Sequence, residues 1–172
     1  MTDHVTIDVL PDNVLLNMFD YYLDEALQAD GLDAWHTLVH VSRKWRCVVF
    51  DSPRRLDLQL LCSESTPMRE MLTIWPPLPI IISEYDPSAC NEDNIIAALE
   101  HHGRVCEILL DGVSSSLLEK LLAAMQKPFP ALKILELETK DDTAPVIPDT
   151  FLGGFAPDLK TLELTRFGVC TQ

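Results

Sequence analysis

Apolar side chains recur at helical spacing in the first fifty residues and in alternation after them. A first helix of about three turns is predicted, with an apolar face that comprises Val14, Leu15, Met18, Phe19 and Tyr22. It is expected to begin at Leu10-Pro11, because proline is favoured at the first helical position. Residues 24–33 are acidic and include Gly31, so we expect a loop or a frayed helical extension, with Asp33 as the next N-cap.

Two further short helices are predicted before the first break in the pattern. The second helix carries Trp35, and Ser42 is a suitable N-cap for a third that begins at Arg43. Pro53 disfavours helix at the residue that precedes it. We therefore expect a helical domain over residues 5–52.

The region from residue 53 to residue 172 repeats an apolar pattern. Four segments start 27 residues apart, and they are Leu78-x-x-Ile81, Val105-x-x-Ile108-x-Leu110, Leu132-x-x-Leu135-x-Leu137 and Leu159-x-x-Leu162-x-Leu164. This interval lies in the range of roughly 20 to 29 residues that is typical of leucine-rich repeats. The first segment is the weakest match because Ser83 occupies a leucine position, and Leu56-Asp57-Leu58 predicts one irregular strand before it.

Helix signals separate these predicted strands. Segments with polar or proline starts and apolar stripes lie at residues 67–75, 91–102 and 114–125, whereas 148–155 has room only for a turn or a short helix. The predicted fold class is α/β, in which three helices precede a short solenoid of about four to five repeats with a parallel sheet and outer helices. No polar capping unit follows Leu164, so we expect an exposed edge there. Either the chain is a fragment or a short relative of a longer repeat protein, or a partner covers that end.

Charge narrows the classes of partner. The chain has 27 acidic and 13 basic residues and a formal net charge of −14, which argues against nucleic acid binding. Five basic residues fall close together at Arg43, Lys44, Arg46, Arg54 and Arg55. They form either a patch that steers an acidic protein partner or ordinary helix-end charges. There is no apolar run of the ~20 residues that a membrane helix needs and no secretory signal, so we expect a cytoplasmic or nuclear location without membrane contact.

No catalytic or metal-binding motif stands out. His36 and His40 are four residues apart on a predicted helix but lack the glutamate of H-E-x-x-H. His101 and His102 near Cys106 fit a helix end beside a buried cysteine better than a thiol and its base. The five cysteines are an odd number without a C-x-x-C pair, so reduced thiols are expected. We expect a protein without enzymatic activity, cofactor or metal.

The helical segment resembles an F-box. The similarity lies in LPDNVLLNMFDYYL followed by WHTLVHVSRKWRCVVF, which contain a Leu-Pro start, an apolar helix with a late Phe, a Leu-x-x-Val-Ser-x-x-Trp run and a short third helix. With FDSPRRLDLQLLC and IWPPLP after it, the segment looks like a form common in fungal F-box proteins, and the resemblance covers about residues 8–82. It departs from the pattern in the long stretch from Asp24 to Ala34 and in Ser42, where Cys is common.

This resemblance implies a non-catalytic substrate-recognition subunit of an SCF-type E3 ubiquitin ligase. The F-box would bind a Skp-type adaptor, and through it a cullin, while the repeats of residues 53–172 would hold a protein substrate. The positions matching the hydrophobic signature are Leu10, Pro11, Leu15, Phe19, Leu38, Val41 and Trp45. Some would contact the adaptor and others would form the core of the head. The alternative is a leucine-rich-repeat scaffold whose helical head only caps the solenoid.

Side chains between the core leucines are expected to line one face of the sheet. The three predicted rows are Ile80, Glu107, Ile134 and Thr161; Ile82, Leu109, Glu136 and Glu163; and Glu84, Asp111, Glu138 and Thr165. Carboxylates predominate, and the rows contain no Lys or Arg. We predict a site for a basic protein segment, with isoleucine anchors, formed by Ile80, Ile82, Glu107, Asp111, Ile134, Glu136, Glu138 and Glu163. The other interpretation is that an acidic protein simply has acidic strands.

Overall fold

The computed structural model describes residues 9–27, 33–63, 66–84, 91–141 and 145–166. The chain divides into two compact units, Met1–Gln59 and Leu60–Gln172. We call them the N-terminal unit and the C-terminal unit. The division lies a few residues beyond the boundary expected between residues 52 and 53. Within the described ranges, no helix combines the length and the apolar character that crossing a membrane requires.

Three helices form the N-terminal unit: α1 (Asp12–Leu27), α2 (Trp35–Val41) and α3 (Arg43–Asp51). Helix α1 begins at Asp12, one residue after the predicted first helical position, and the carbonyl of the preceding Pro11 accepts the N–H groups of Val14 and Leu15. At 16 residues, α1 is longer than expected and includes the first four residues of the acidic stretch, for which we expect a loop or a helical extension.

Two cap predictions had different outcomes. Ser42 caps α3 as predicted, because its side chain accepts the N–H of Trp45 at 3.2 Å. The prediction of Asp33 as the cap of α2 is wrong, since Ala34 occupies that position without a side-chain hydrogen bond. Asp33 instead accepts the N–H of His36 through its backbone carbonyl at 2.9 Å.

Aromatic side chains hold the three helices together. The rings of Phe19 and Trp45 lie 4.7 Å apart and join α1 to α3, and Trp35 of α2 packs against Phe50 of α3 at 6.0 Å. The indole N–H of Trp35 donates to the carbonyl of Gln59 at 2.9 Å. Aromatic pairs of this kind add roughly 0.5–1.5 kcal/mol beyond the area that they bury.

The predicted early strand at Leu56-Asp57-Leu58 is wrong. Asp57 has φ 45°, in the left-handed region, which interrupts an extended strand. The N–H of Leu58 donates back to the carbonyl of Pro53 at 2.9 Å, as in a turn. The leucines are buried nevertheless, so their alternation reflects burial in a turn and not pairing in a sheet.

The C-terminal unit is a parallel five-stranded sheet with helical crossovers. Its elements are β1 (Leu60–Cys62), α4 (Met68–Ile74), β2 (Ile80–Glu84), α5 (Glu92–Glu100), β3 (Val105–Val113), α6 (Ser115–Ala124), β4 (Ile134–Thr139), a 3-10 turn (Phe151–Gly154) and β5 (Thr161–Thr165). The strands lie in the order β1-β2-β3-β4-β5, and each pairs in parallel with the next. The prediction of a mixed α/β fold with a parallel sheet is confirmed.

The helices begin where their capping residues predict. Asn91 and Ser114 cap α5 and α6, because their side chains accept the N–H of Asn94 and Leu117 respectively. Helix α5 contacts both α4 and α6. The three helices therefore lie side by side along one face of the sheet.

The 27-residue interval holds only in the second half of the sheet. Ile134 of β4 pairs with Glu107 of β3 and with Thr161 of β5, each 27 positions away. Between β2 and β3 the interval falls to 26, since Ile81 pairs with Glu107 and the register shifts just before it. The first predicted repeat is therefore displaced by one residue from the others.

Gly153 occupies a position that no other residue fits without strain. Its φ is +57°, and an added Cβ would come within 2.6 Å of the backbone nitrogen of Pro128. We predict that Gly153→Ala lowers the free energy of unfolding of the C-terminal unit by roughly 1–3 kcal/mol. Urea denaturation followed by far-UV circular dichroism measures this change.

Gly103→Ala is the matched control, because an added Cβ at Gly103 meets nothing within 4 Å. It should leave the free energy of unfolding within about 0.5 kcal/mol of the wild-type value. Equal effects of the two substitutions would contradict the proposed clash.

Candidate protein-binding surfaces

Helix α1 has two neighbouring apolar faces. The first is buried and contains Leu15, Phe19 and Leu23, which follow each other at intervals of four residues. The second is exposed, and we call it the α1 stripe, formed by Val14, Met18, Tyr21 and Tyr22. At about 100° per residue, the stripe lies directly beside the buried face.

The α1 stripe is more apolar than a solvent-facing helix surface needs to be. Its four side chains are between 38 and 66% exposed. A surface helix ordinarily places charged and polar residues opposite its core face. Here Asn17, Asp20 and Asp24 provide that polar side, and the stripe lies between it and the core. Contiguous exposed apolar patches are typical of protein–protein or membrane interaction sites and of ligand-binding grooves.

The structure separates the seven predicted adaptor residues into two groups. The buried ones, between 0 and 9% exposed, are Leu15, Phe19, Leu38 and Trp45. Their side chains have almost no surface left for a partner, so we do not retain them as contact residues and assign them to the core instead. The accessible ones are Leu10, which is half-buried, and Pro11 and Val41, which are exposed.

The α1 stripe was missing from the predicted site. The sequence pattern places Val14, Met18 and Tyr22 on an apolar helix face, and it does not include Tyr21. The sequence signal for this second face is the width of the apolar arc of α1, which is wider than the arc that packing against the other helices buries. The hydroxyl of Tyr21 donates to Glu25 at 2.7 Å, and this hydrogen bond raises the pKa of Tyr21.

Most of the clustered basic residues act within the N-terminal unit. Lys44 donates to the carbonyl of Leu10, Arg46 donates to the carbonyl of Val39, and Arg55 binds Asp20 of α1 through two nitrogens. These hydrogen bonds satisfy backbone carbonyls near helix ends and a carboxylate on the polar side of α1. They favour the interpretation of helix-end charges over a patch that steers an acidic partner.

Two predicted substrate residues lie on the wrong side of the sheet. Ile80 and Ile82 are fully buried, and Ile82 pairs with Ile108, a core residue, and not with Leu109. The cause is the register shift between Ile80 and Ile81, because a slip of one residue exchanges the two faces of a strand. Glu84 follows the same parity and is also buried.

The other predicted residues share the opposite face of the sheet. Glu107, Ile134 and Thr161 form one cross-strand row, and Leu109, Glu136 and Glu163 follow the same parity in the next. Asp111 and Glu138 extend this face to the carboxyl ends of their strands. The predicted carboxylates and Ile134 therefore remain in the candidate site, and Ile80 and Ile82 are removed from it.

A groove of about 230 Å³ lies on this face, and we call it the acidic groove. Side chains that line it include Leu109, Asp111, Glu136, Glu138, Glu163 and Thr165. One cation reaches it from outside the predicted rows, since Arg166 Nε lies 3.9 Å from Glu138 Oε1. This exposed pair offsets part of the negative charge, but four carboxylates share the groove, and the potential there stays negative.

The remaining candidate chemistry is accounted for by local contacts. Burial lowers the pKa of His36, whose ring packs 4.0 Å from that of Trp35. His102 Nδ1 lies 2.7 Å from the carbonyl oxygen of Pro128, and Cys106 Sγ donates to the carbonyl of Ile80 at 3.3 Å. In the part of the chain that the structure describes, no three His, Cys, Asp or Glu residues cluster as metal ligands. Cys90 and Cys170 lie outside that part.

Comparisons with protein-family models, with curated proteins and with solved structures found no match to this chain.

Substitution of neighbouring α1 residues by alanine should change the free energy of unfolding by very different amounts. Phe19→Ala removes a buried ring that packs against Trp45, so we predict a loss of about 3–5 kcal/mol in the free energy of unfolding of the N-terminal unit. Met18→Ala, in the exposed stripe, should change it by less than about 0.5 kcal/mol. Chemical denaturation followed by tryptophan fluorescence measures both values, and similar losses would contradict the assignment of core and stripe.

Proposed function

We propose that this protein is a non-catalytic substrate-recognition subunit of an SCF-type E3 ubiquitin ligase. The N-terminal unit would be the F-box that binds a Skp-type adaptor and through it a cullin. The C-terminal unit would be a short leucine-rich-repeat body that binds a protein substrate in the cytoplasm or the nucleus. The observation that carries the proposal is an exposed apolar stripe on the helix whose sequence resembles an F-box.

Two features of the N-terminal unit support adaptor binding: the side-chain types in the α1 stripe and the other exposed apolar residues of the unit. The stripe provides side chains that bury well in an interface, including two tyrosines and a methionine, which are enriched at protein contacts. Val9, Pro11 and Val41 add exposed apolar surface in the same unit. The buried signature residues would then have a supporting role, since they hold α1 in the position from which the stripe is presented.

The mechanism would be proximity. A receptor of this kind forms and breaks no covalent bond, but it raises the local concentration of substrate lysines beside the ligase. The acidic groove supports a substrate segment rich in Lys or Arg, because opposite potentials steer association and disfavour acidic competitors. Leu109 and Ile134 would supply apolar contacts between the carboxylates.

Binding to the adaptor tests the first half of the proposal. We predict that Met18→Asp and Val41→Asp each weaken capture of a purified Skp-type adaptor at least tenfold, because each places a charge in an apolar interface. Val146→Asp is the matched control, since Val146 is 62% exposed and belongs to the C-terminal unit. Size-exclusion chromatography coupled to light scattering measures the one-to-one complex.

Two outcomes would contradict this half. If wild-type protein does not bind the adaptor, the alternative of a repeat scaffold with a capping head is favoured. If Met18→Asp and Val41→Asp bind like wild type, the adaptor uses another surface. Circular dichroism of each variant establishes that the fold is retained, which we expect because both side chains are exposed.

Binding of a basic peptide tests the second half. We predict that a Lys- and Arg-rich peptide binds the wild-type chain, that binding weakens as salt increases, and that Glu136→Lys with Glu163→Lys abolishes it. Glu70→Lys with Glu119→Lys is the control, because it changes the net charge equally at exposed helix positions outside the groove. Equal losses in both double variants would indicate attraction by net charge alone, and unchanged binding in the first would rule out the groove.

A further inference from the structure

A core row of the C-terminal unit becomes exposed at the last strand. Ile82, Ile108, Leu135 and Leu162 occupy successive strands in one cross-strand row. The first three are 0% exposed, whereas Leu162 is 51% exposed. The crossover that leads into β5 contains a 3-10 turn in place of a helix, so its cover is smaller than that over β3 and β4. Phe155 in the same crossover is also exposed.

The outer edge of β5 also has hydrogen-bonding capacity. In the parts of the chain that the structure describes, β4 is the one strand that pairs with β5. Thr161 donates its N–H to the carbonyl of Lys133 in the strand pair, at 3.1 Å. Backbone groups alternate in direction along a strand, so Glu163 also faces β4, and Leu162 and Leu164 direct their N–H and C=O groups to the outer edge.

This edge is complementary to itself in one antiparallel register. When Leu162 lies on a two-fold axis, Leu162 pairs with its own copy, and Leu164 pairs with Lys160 of the second copy. Leu162 and Leu164 have both backbone groups on the outer edge, as an antiparallel ladder requires. The N–H of Lys160 donates to the carbonyl of Lys133 at 2.8 Å, so Lys160 can contribute only its C=O group to the ladder. The two copies of Leu162 then lie on the same face and cover one another.

Charge selects this register over the nearest competitor. With Leu162 on the axis, the turn that carries Asp158 faces the turn that carries Arg166 of the second copy, and this happens twice by symmetry. The register centred on Glu163 also satisfies the backbone, but it places two glutamates directly opposite each other, which is unfavourable. Asp158 and Arg166 are both exposed, and the contact of Arg166 with Glu138 is a long one at 3.9 Å.

We infer that β5 is a homodimerisation edge, at which two copies of this chain pair antiparallel about Leu162 to form one continuous sheet. Exposed strand edges are ready templates for such pairing. The interface is small, so the dimer should be weak and its population should depend on concentration. Two chains that each carry a net charge of −14 also repel, which further limits the affinity.

A charge-exchange experiment tests the register with the 172-residue chain. Asp158→Arg makes positions 158 and 166 both basic, and Arg166→Asp makes them both acidic. Facing charges then repel in a dimer of either variant, so the self-association constant of each should fall at least tenfold. Mixed in equal amounts, the two variants should form a heterodimer, because each basic side chain then faces an acidic one. Sedimentation velocity across about two orders of magnitude in concentration measures each species.

The outcomes separate this inference from its alternatives. Dimers of the wild type, loss in each single variant and recovery in the mixture would support the register. A wild-type chain that remains monomeric at every concentration would overturn the inference, as would dimers that both variants leave unchanged. Hydrogen exchange provides a second readout, since the amide of Leu162 should become protected as the dimer forms and should stay unprotected if another protein is the true occupant of the edge.

Discussion

The alternation of side chains along the strands of the C-terminal unit is the constraint on which its surface depends. Leu135 and Leu137 are removed from water together with Ile108, and each buried leucine contributes roughly 1.5–3 kcal/mol. Because successive side chains point to opposite faces, burying this set commits Glu136 and Glu138 to the other face. The acidic groove is therefore a direct consequence of core formation, and its charge comes from the residues that separate the leucines.

The N-terminal unit depends on a different relation between core and surface. A helix can bury one arc of its surface against its neighbours, and α1 uses Leu15 and Phe19 for this purpose. The adjacent arc is also apolar, and the unit's own packing leaves it exposed. Core residues and surface residues are thus consecutive in sequence, which explains why a single hydrophobic signature mixed the two groups.

Predictions from the sequence were most accurate where a local interaction decides the structure. Ser42, Asn91 and Ser114 cap the helices that they were expected to cap, because a side-chain oxygen and an N–H three residues later are sufficient. The predictions failed where pairing with another segment decides. The register shift between β2 and β3 moved Ile80 and Ile82 into the core, and nothing in β2 itself specifies the register of its partner strand.

The sequence by itself determined the helical character of the first fifty residues, the parallel repeat after them and the placement of Glu136 and Glu163 on one face, since periodicity and capping are local properties. Only the tertiary structure decided which apolar residues of the head remain at the surface, where the first strand begins and which isoleucines are buried. These outcomes depend on which segments contact each other, and a contact between distant segments has no signal in the spacing of either one alone.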